Sequence, residues 1–410
     1  MTAATLTLDP IAKNRAIAAA LSSLSLFLGA FLSGFVINEP APYELYMAAL
    51  IFVWALFGLR IPSATMPLII FLMVFNIGGV ISLAVLPDMT SQLIYVLVSF
   101  FLAFTSIFFA AVIAADHRRL TVLMNGYLAA AILTALAGIL GYFGLIPGGD
   151  IFTRFGRARG VFEDPNVFAP FLILPTLYCL HALMTKDLSG LAPRLAMTLI
   201  LAMGIFLSFS RAGWGMLVLC TVMLAVLTVA ASNSNRLRLR VLIMSMSAVA
   251  IALVAFLIAL QFDVVRDMFT ERAQLVQSYD GAREGRFARH WIGLKLALEH
   301  PFGIGPLEFG KRFGEDTHNI WLKALFDYSW LGFVAYVLLV FWTIGAGFKI
   351  MFRDRPWQSV LMCAWVVFVG HTIIGYVIDT DHWRHFFLIL GLIWGCIALE
   401  ARWQREAIGR

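Results

Sequence analysis

The chain has 410 residues, of which 61% are hydrophobic and only 13% charged, with a mean hydropathy of +0.87 and a net charge of +6. Soluble domains are about half apolar and about a quarter charged, so this composition excludes a water-soluble enzyme. It is no nucleic-acid footprint either, because the basic residues stand in short clusters between hydrophobic runs.

Twelve apolar runs follow one another, at about 15–37, 43–60, 64–86, 91–115, 120–145, 166–185, 194–209, 212–231, 239–262, 319–348, 357–378 and 385–401. A helix rising about 1.5 Å per residue crosses a bilayer in roughly 20 residues. The expected fold is therefore all-α and polytopic, with about twelve transmembrane helices in a single integral membrane domain over 1–410. The first run follows Lys13 and Arg15 and lacks a small-residue cleavage site, which predicts a retained span and not a signal peptide. Cys179, Cys220, Cys363 and Cys396 all fall inside apolar runs and read as small buried hydrophobes.

Charge fixes the orientation. Lys13 and Arg15 place the N-terminus in the cytoplasm. Strict alternation then puts Arg60, His117-Arg118-Arg119, Lys186 with Arg194, Arg236 to Arg240, Lys349 with Arg353 and Arg355, and a tail with Arg402, Arg405 and Arg410 on the same side. Opposite connections such as Asn38-Glu39-Pro40 and Pro87-Asp88 hold no basic residue. Three outward segments are charged nonetheless: Arg154–Asn166, the long loop 263–318 between spans nine and ten, and the Asp379–His385 turn. An anionic ligand on the outer side would explain them.

In the first of these segments, Arg154, Arg157 and Arg159 form a cluster suited to phosphate, which Arg recognises through its planar fork. Asp164-Pro165-Asn166 reads equally as a helix start, with Asp164 capping and Pro165 in the first turn. Ser208-Phe209-Ser210-Arg211-Ala212-Gly213-Trp214 joins spans seven and eight in a tight outward turn. Arg211 there either snorkels to the interface or faces a lipid headgroup or diphosphate.

In the long loop, Arg286, Arg289 and His290 share one face of an amphipathic helix, and Trp291, Leu294, Ala297 and Leu298 share another. Pro301 ends that helix. Membrane adhesion alone would also account for its basic face. His318-Asn319 stands directly before span ten, where a histidine at the water boundary can serve as a general base. Lys323 and Asp327 follow at i,i+4 and are expected to pair. Asp379-Thr380-Asp381-His382-Trp383-Arg384-His385 matches no strong metal-ligand spacing. Orienting a neighbouring base, or a further anion contact through Asp381, His382 or Arg384, fits it better.

No P-loop, dinucleotide-binding glycine fingerprint, His-Glu-x-x-His or Gly-x-Ser-x-Gly occurs. The energy for any reaction must therefore come from the substrate, with no cofactor and no metal.

Ser210-Arg211-Ala212-Gly213 opening span eight, Gly285-Arg286 to Trp291 in the outward loop, Pro301-Phe302-Gly303-Ile304-Gly305, and Thr317-His318-Asn319 together resemble the bacterial O-antigen ligase family over about residues 150–335. That superfamily includes O-antigen and exopolysaccharide polymerases. The resemblance implies a metal-independent, inverting glycosyltransferase on the periplasmic face of the inner membrane, moving a glycan from undecaprenyl diphosphate to a sugar hydroxyl of lipid A core. His318 would be the base, and Arg211 and Arg286 would hold the donor diphosphate, with Arg157 and Arg159 beside them. Arg154, Asp164, Asn166, Arg289, His290, Asn319, Asp381, His382 and Arg384 would support the site. Where the family pattern has a first glycine after His-Asn, this chain has Ser329 ahead of Gly332. The alternatives are a polymerase with another carrier-linked glycan as acceptor, and a transporter. A transporter predicts ionisable residues at mid-span, but here the polar residues gather on one face.

Overall fold

The structure, a computed structural model, describes residues 10–187, 189–272 and 286–408. The described residues form sixteen α-helices: α1 Pro10–Leu32, α2 Pro42–Leu56, α3 Met66–Leu83, α4 Thr90–Ala115, α5 Arg118–Tyr142, α6 Pro165–Thr185, α7 Leu191–Leu207, α8 Arg211–Ala231, α9 Asn235–Ala259, α10 Asp263–Arg272, α11 Arg286–Glu299, α12 Glu308–Phe313, α13 Ile320–Phe326, α14 Ser329–Met351, α15 Gln358–Ile374 and α16 Arg384–Ile408. A minimal antiparallel pair, β1 Thr153–Arg154 and β2 Arg157–Ala158, interrupts them. The protein is an all-α polytopic membrane protein.

Eleven of the twelve apolar runs each fold around one long helix, and the run 319–348 divides into two. Among the described residues nine helices are long and apolar enough to cross a membrane, and α2, α7 and α15 are apolar but shorter. With 15 residues, α2 rises about 22 Å, less than the roughly 30 Å of a hydrocarbon core. Its buried Tyr43, Met47 and Leu50 pack one face against the bundle, and Leu45, Phe52 and Leu56 on the other are exposed.

The spans differ in how they are covered. In α6 and α16, 78% of the span window is buried, against 6% in α9, so the first two form the centre and α9 turns its side chains to lipid. Glycine lets the central helices meet closely. A Cβ on Gly391 of α16 would stand 2.8 Å from the Ser106 carbonyl oxygen of α4, and one on Gly78 of α3 only 2.1 Å from that of Tyr328. All four cysteines are free and buried.

Contacts divide the loops between two ends of the bundle, as the charge alternation predicts. At one end Val36 bridges Phe162, Gln92 Nε2 donates to Glu308 Oε1, Arg157 Nε donates to the Ser208 carbonyl, and Arg384 pairs with Glu39 and Glu44. At the other, Arg353 and Arg355 clamp Glu400, Arg402 donates to the Ala114 carbonyl and Arg240 to that of Leu183.

One expectation is corrected. The run 319–348 is not one helix: α13 ends at Phe326, and α14 begins at Ser329. The long loop causes the break, because the Pro301–Gly305 turn is wedged against it. Ile304 N donates to the Phe326 carbonyl at 2.8 Å, Ser82 Oγ to the same oxygen at 3.2 Å, and Trp330 N to the Pro301 carbonyl at 3.1 Å. Helical hydrogen bonding thus gives way to contacts with another segment, and His318 stands one short helix ahead of the span.

Candidate functional site

Asn319 builds the turn that carries the candidate base. Its Oδ1 caps α13 by accepting from Trp321 N at 3.0 Å and Leu322 N at 3.2 Å. Ile320 N donates to the Gly375 carbonyl at 2.9 Å, which brings the start of α13 against the end of α15. His318 precedes the cap in a left-handed conformation, φ 49°, uncommon for a side chain larger than glycine. Its half-buried ring has Nδ1 3.4 Å from Asp379 Oδ2 and Nε2 3.6 Å from Glu315 Oε1.

Beneath the histidine lies a buried charge cluster. Lys323 Nζ is 3.3 Å from Asp316 Oδ2, 3.8 Å from Asp379 Oδ2 and 3.9 Å from Asp381 Oδ1, and 5.2 Å from the centre of the Tyr95 ring. The expected pair with Asp327 is absent among the described residues; the ammonium reaches the carboxylates of the two turns instead. Burial works to lower its pKa, but Asp379, Asp381, Tyr95 and Asp316 outweigh that and hold it well above the usual lysine value. Asp327 lies within reach of the same field, and burial pushes its carboxyl well above the usual range.

Asp381 Oδ2 accepts from Tyr95 Oη at 2.5 Å and Tyr328 Oη at 3.2 Å, and lies 3.0 Å from His382 Nδ1. Burial raises its pKa, but the Lys323 and His382 charges and the bonds from His382 and Tyr95 reverse this, leaving it below the usual carboxylate range. His382 lies against Tyr95 with the rings tilted by 32° and their centres 3.8 Å apart, and its Nε2 is 3.0 Å from the Tyr95 carbonyl. Among the described residues no group of three or more His, Cys, Asp or Glu is arranged to hold a metal ion.

The basic face of α11 turns toward this histidine. Arg289 is buried and pairs with Glu315, while His290 Nε2 lies 2.9 Å from the Thr317 carbonyl. Burial raises the Glu315 pKa, and the Arg289 bond and charge with the His318 contact override it, so the carboxyl stays below its usual range. Arg286 opens α11, and its side chain lies outside the described residues. Exposed Trp291 and Leu298 occupy the opposite face. A groove of about 330 Å³ runs beside the turn, lined among others by His290, Trp291, Asn319, Trp321, Leu322 and Tyr376.

A second group surrounds Arg211, the first residue of α8, whose start is capped by Ser210 Oγ accepting from Gly213 N at 3.2 Å. Phe209 before it is left-handed, φ 47°. Buried Arg157 ties two segments there: Nε donates to the Ser208 carbonyl and Nη2 to Asn166 Oδ1, both at 2.7 Å. Asp164 caps α6 by accepting from Asn166 N at 2.7 Å. Arg154 and Arg159 donate to the Glu163 carbonyl at 3.0 and 3.1 Å, and Arg159 also to that of Ile151 at 3.2 Å. These arginines brace the loop that carries them. Arg384 stands apart, with Nε 2.5 Å from Glu44 Oε1 and Nη2 3.2 Å from Glu39 Oε1.

The structure thus brings His318, Asn319, Arg289, His290, Asp381 and His382 into one connected cluster, and Arg157, Arg159, Arg154, Asp164 and Asn166 into another next to Arg211. Glu315, Asp316, Lys323, Tyr95 and Tyr328 join the first without having been singled out for it, and Asp379 joins it from the turn expected to orient a neighbouring base. The acidic pair two and three residues before His318 was a local signal; Tyr95, inside an apolar run, gave none.

The O-antigen ligase family model, Wzy_C, matches residues 196–340, from α7 into α14. The match takes in Arg211, the long loop and His318. No curated protein matches the chain.

Proposed function

We propose that this chain, a member of the O-antigen ligase family, transfers a glycan from undecaprenyl diphosphate to a sugar hydroxyl of lipid A core on the periplasmic face of a bacterial inner membrane. The observation that carries the reading is the His318 ring, set at the mouth of a buried charge cluster with Asp379 against Nδ1 and an apolar groove beside it. With Asp379 beside Nδ1 the ring carries its proton there, and Nε2, 3.6 Å from Glu315 Oε1, is the nitrogen that acts as the base. Nε2 takes the proton of the acceptor hydroxyl as that oxygen attacks the anomeric carbon. The bond from that carbon to the diphosphate oxygen breaks on the opposite face, which gives inversion.

The diphosphate leaves with its electron pair, and Arg211, with Arg286, compensates the developing charge. Arg157 acts through Arg211, because two of its nitrogens hold the Ser208 carbonyl and Asn166. Arg154 and Arg159 keep the same loop in place, and Arg289, His290 and Asn319 set the His318 turn. The substrates' lipid parts lie in the bilayer, so a site built on span ends gives the polar groups access to both. The diphosphate ester supplies the driving force, and no step requires a cofactor or metal.

Deletion of the gene, with glycans analysed on lipopolysaccharide and on the polyprenyl carrier, tests this. Long polymer stranded on the carrier with bare lipid A core is the expected result. Single repeat units in place of polymer would make the protein a polymerase with a carrier-linked acceptor. Unchanged glycans in both pools would remove the glycosyltransferase reading.

A further inference from the structure

At the opposite end of the bundle from His318, a groove of about 430 Å³ opens between α7 and α9. It is lined by Leu191 on one side and by Arg236, Leu239, Arg240, Ile243 and Met244 on the other. The α9 residues recur at i, i+3, i+4, i+7 and i+8, so they form one stripe along one helix face. The stripe is ordered by polarity: the two arginines occupy the first turns, and the apolar side chains follow toward the middle of the span. Leu239 and Ile243 are 58% and 54% exposed, so no other helix of the described chain covers this face.

The surroundings share the charge. The stretches 186–195 and 232–244 hold Lys186, Arg194, Arg236, Arg238 and Arg240 against a single acid, Asp187. Arg240 Nη2 donates to the Leu183 carbonyl at 2.8 Å, which fixes that guanidinium at the head of the groove beside the end of α6. Arg238 lies off the stripe and donates to the Ser232 carbonyl at 2.8 Å.

We propose that this groove is a binding site for an anionic glycerophospholipid, with the headgroup phosphate on Arg236 and Arg240 and an acyl chain along Leu239, Ile243 and Met244. An amphiphile with a negative head fits a stripe that is cationic at the interface and apolar in depth. The guanidinium fork suits phosphate oxygens, and basic pockets between spans favour anionic headgroups. A zwitterionic lipid carries its own cation toward the same arginines and gains less. The site is independent of the glycan chemistry at the other end.

The test is native mass spectrometry of the purified full-length chain, titrated with phosphatidylglycerol or with phosphatidylcholine of the same acyl chains. A phosphatidylglycerol adduct should form at lower concentration than the phosphatidylcholine one. Arg236→Gln should raise the concentration needed by about fivefold, the effect of one interfacial arginine. Arg236→Gln/Arg240→Gln should raise it further, whereas Arg238→Gln, with the same charge removed off the stripe, should leave it near the wild-type value. Should the double variant fail to fold because Leu183 loses its donor, the two single variants still decide. Equal binding of both lipids, or an Arg238→Gln effect as large as that of Arg236→Gln, would overturn the site.

Discussion

His318 Nδ1 and Asp379 Oδ2 stand 3.4 Å apart, the histidine just ahead of α13 and the aspartate in the turn between α15 and α16. The contact is kept by its neighbours: Ile320 N is bonded to the Gly375 carbonyl, and Lys323 Nζ lies 3.8 Å from the same Asp379 oxygen. A base positioned in this way should lose its proton-transfer role, and little else, when the ring is removed. We expect His318→Ala to lower transfer by about 10²–10⁴-fold, the usual contribution of a general base, while the protein still inserts and folds. Asp379→Asn should give a smaller loss that falls on kcat with KM held, because it disturbs ring orientation and tautomer and not substrate contact. Wild-type turnover by His318→Ala, measured in proteoliposomes with a lipid-linked donor, would remove the histidine from the mechanism.

Arg211 is expected to act on the leaving group. Arg211→Ala should therefore abolish transfer, and Arg211→Lys should recover only part of it, since a point charge replaces a planar fork. Arg157→Ala should also lower activity, through loss of the brace to Ser208 and Asn166. A donor-binding assay with a polyprenyl diphosphate separates the two: both variants should bind weakly, but only Arg157→Ala should also loosen the 153–166 segment in hydrogen exchange. Undiminished donor binding by Arg211→Ala would exclude a diphosphate contact.

Lys323 is placed among Asp316, Asp379 and Asp381, so its loss leaves buried Asp381 and partly buried Asp316 and Asp379 short of compensation. Removing one partner of a buried ionic group costs about 3–5 kcal/mol. Lys323→Met should lower the thermal unfolding temperature in detergent markedly, and Lys323→Arg should retain most of the stability by keeping the charge. If Lys323→Met unfolds at the wild-type temperature, the cluster does not hold the two turns together.

Acid should loosen the outer loop. Burial raises the pKa of Glu308, but bonds from Lys311 and Gln92 and the Lys311 and Arg312 charges override this and keep it below its reference value of 4.5. A carboxyl with a depressed folded pKa contributes stability that is fully present above the unfolded value and is lost as pH falls through the folded one. Glu315 has the same sign and adds to the effect. Hydrogen exchange in α12 and in the 314–318 turn should therefore rise as pH drops from about 7 to below about 4.5. Glu308→Gln should weaken the pH response of α12, and a variant that keeps the full response would rule Glu308 out as its source.

What could be read from the chain divides along the range of the interactions. The apolar helices and the caps at Asp164, Ser210 and Asn319 depend on neighbours within a few positions, and hydropathy and capping residues report them directly. The partners of Lys323 come from the turn before α16 and from Tyr95 in α4, which no local pattern connects. Spacing at i,i+4 favoured Asp327, but the helix ends there and the ammonium is drawn to the denser field of three carboxylates. The break after Phe326 was hidden for the same reason: the run is apolar throughout, and the Pro301–Gly305 turn that interrupts it lies on another segment. Arg157 read as a phosphate ligand because the sequence shows a side chain's charge but not the carbonyl that it meets.

Ser329 stands where the resemblance leads to an expected glycine, and its backbone conformation is one that suits glycine. Its φ is 60°, in the left-handed region, directly after the break and at the start of α14. The residue is 1% exposed, and its Oγ has no hydrogen-bond partner among the described residues. The left-handed conformation costs a residue with a Cβ about 1–2 kcal/mol, and a buried unsatisfied hydroxyl adds about 1–3 kcal/mol. Glycine avoids both and loses about 0.5–1 kcal/mol through its greater freedom in the unfolded chain. Ser329→Gly is therefore expected to stabilise the protein by about 1 kcal/mol or more, visible as a higher unfolding temperature with transfer activity retained. Ser329→Val, β-branched in the same backbone region, should destabilise it. A glycine variant that unfolds earlier than wild type would mean that the serine hydroxyl is bonded in the working protein and that the strain at the head of α14 is needed there.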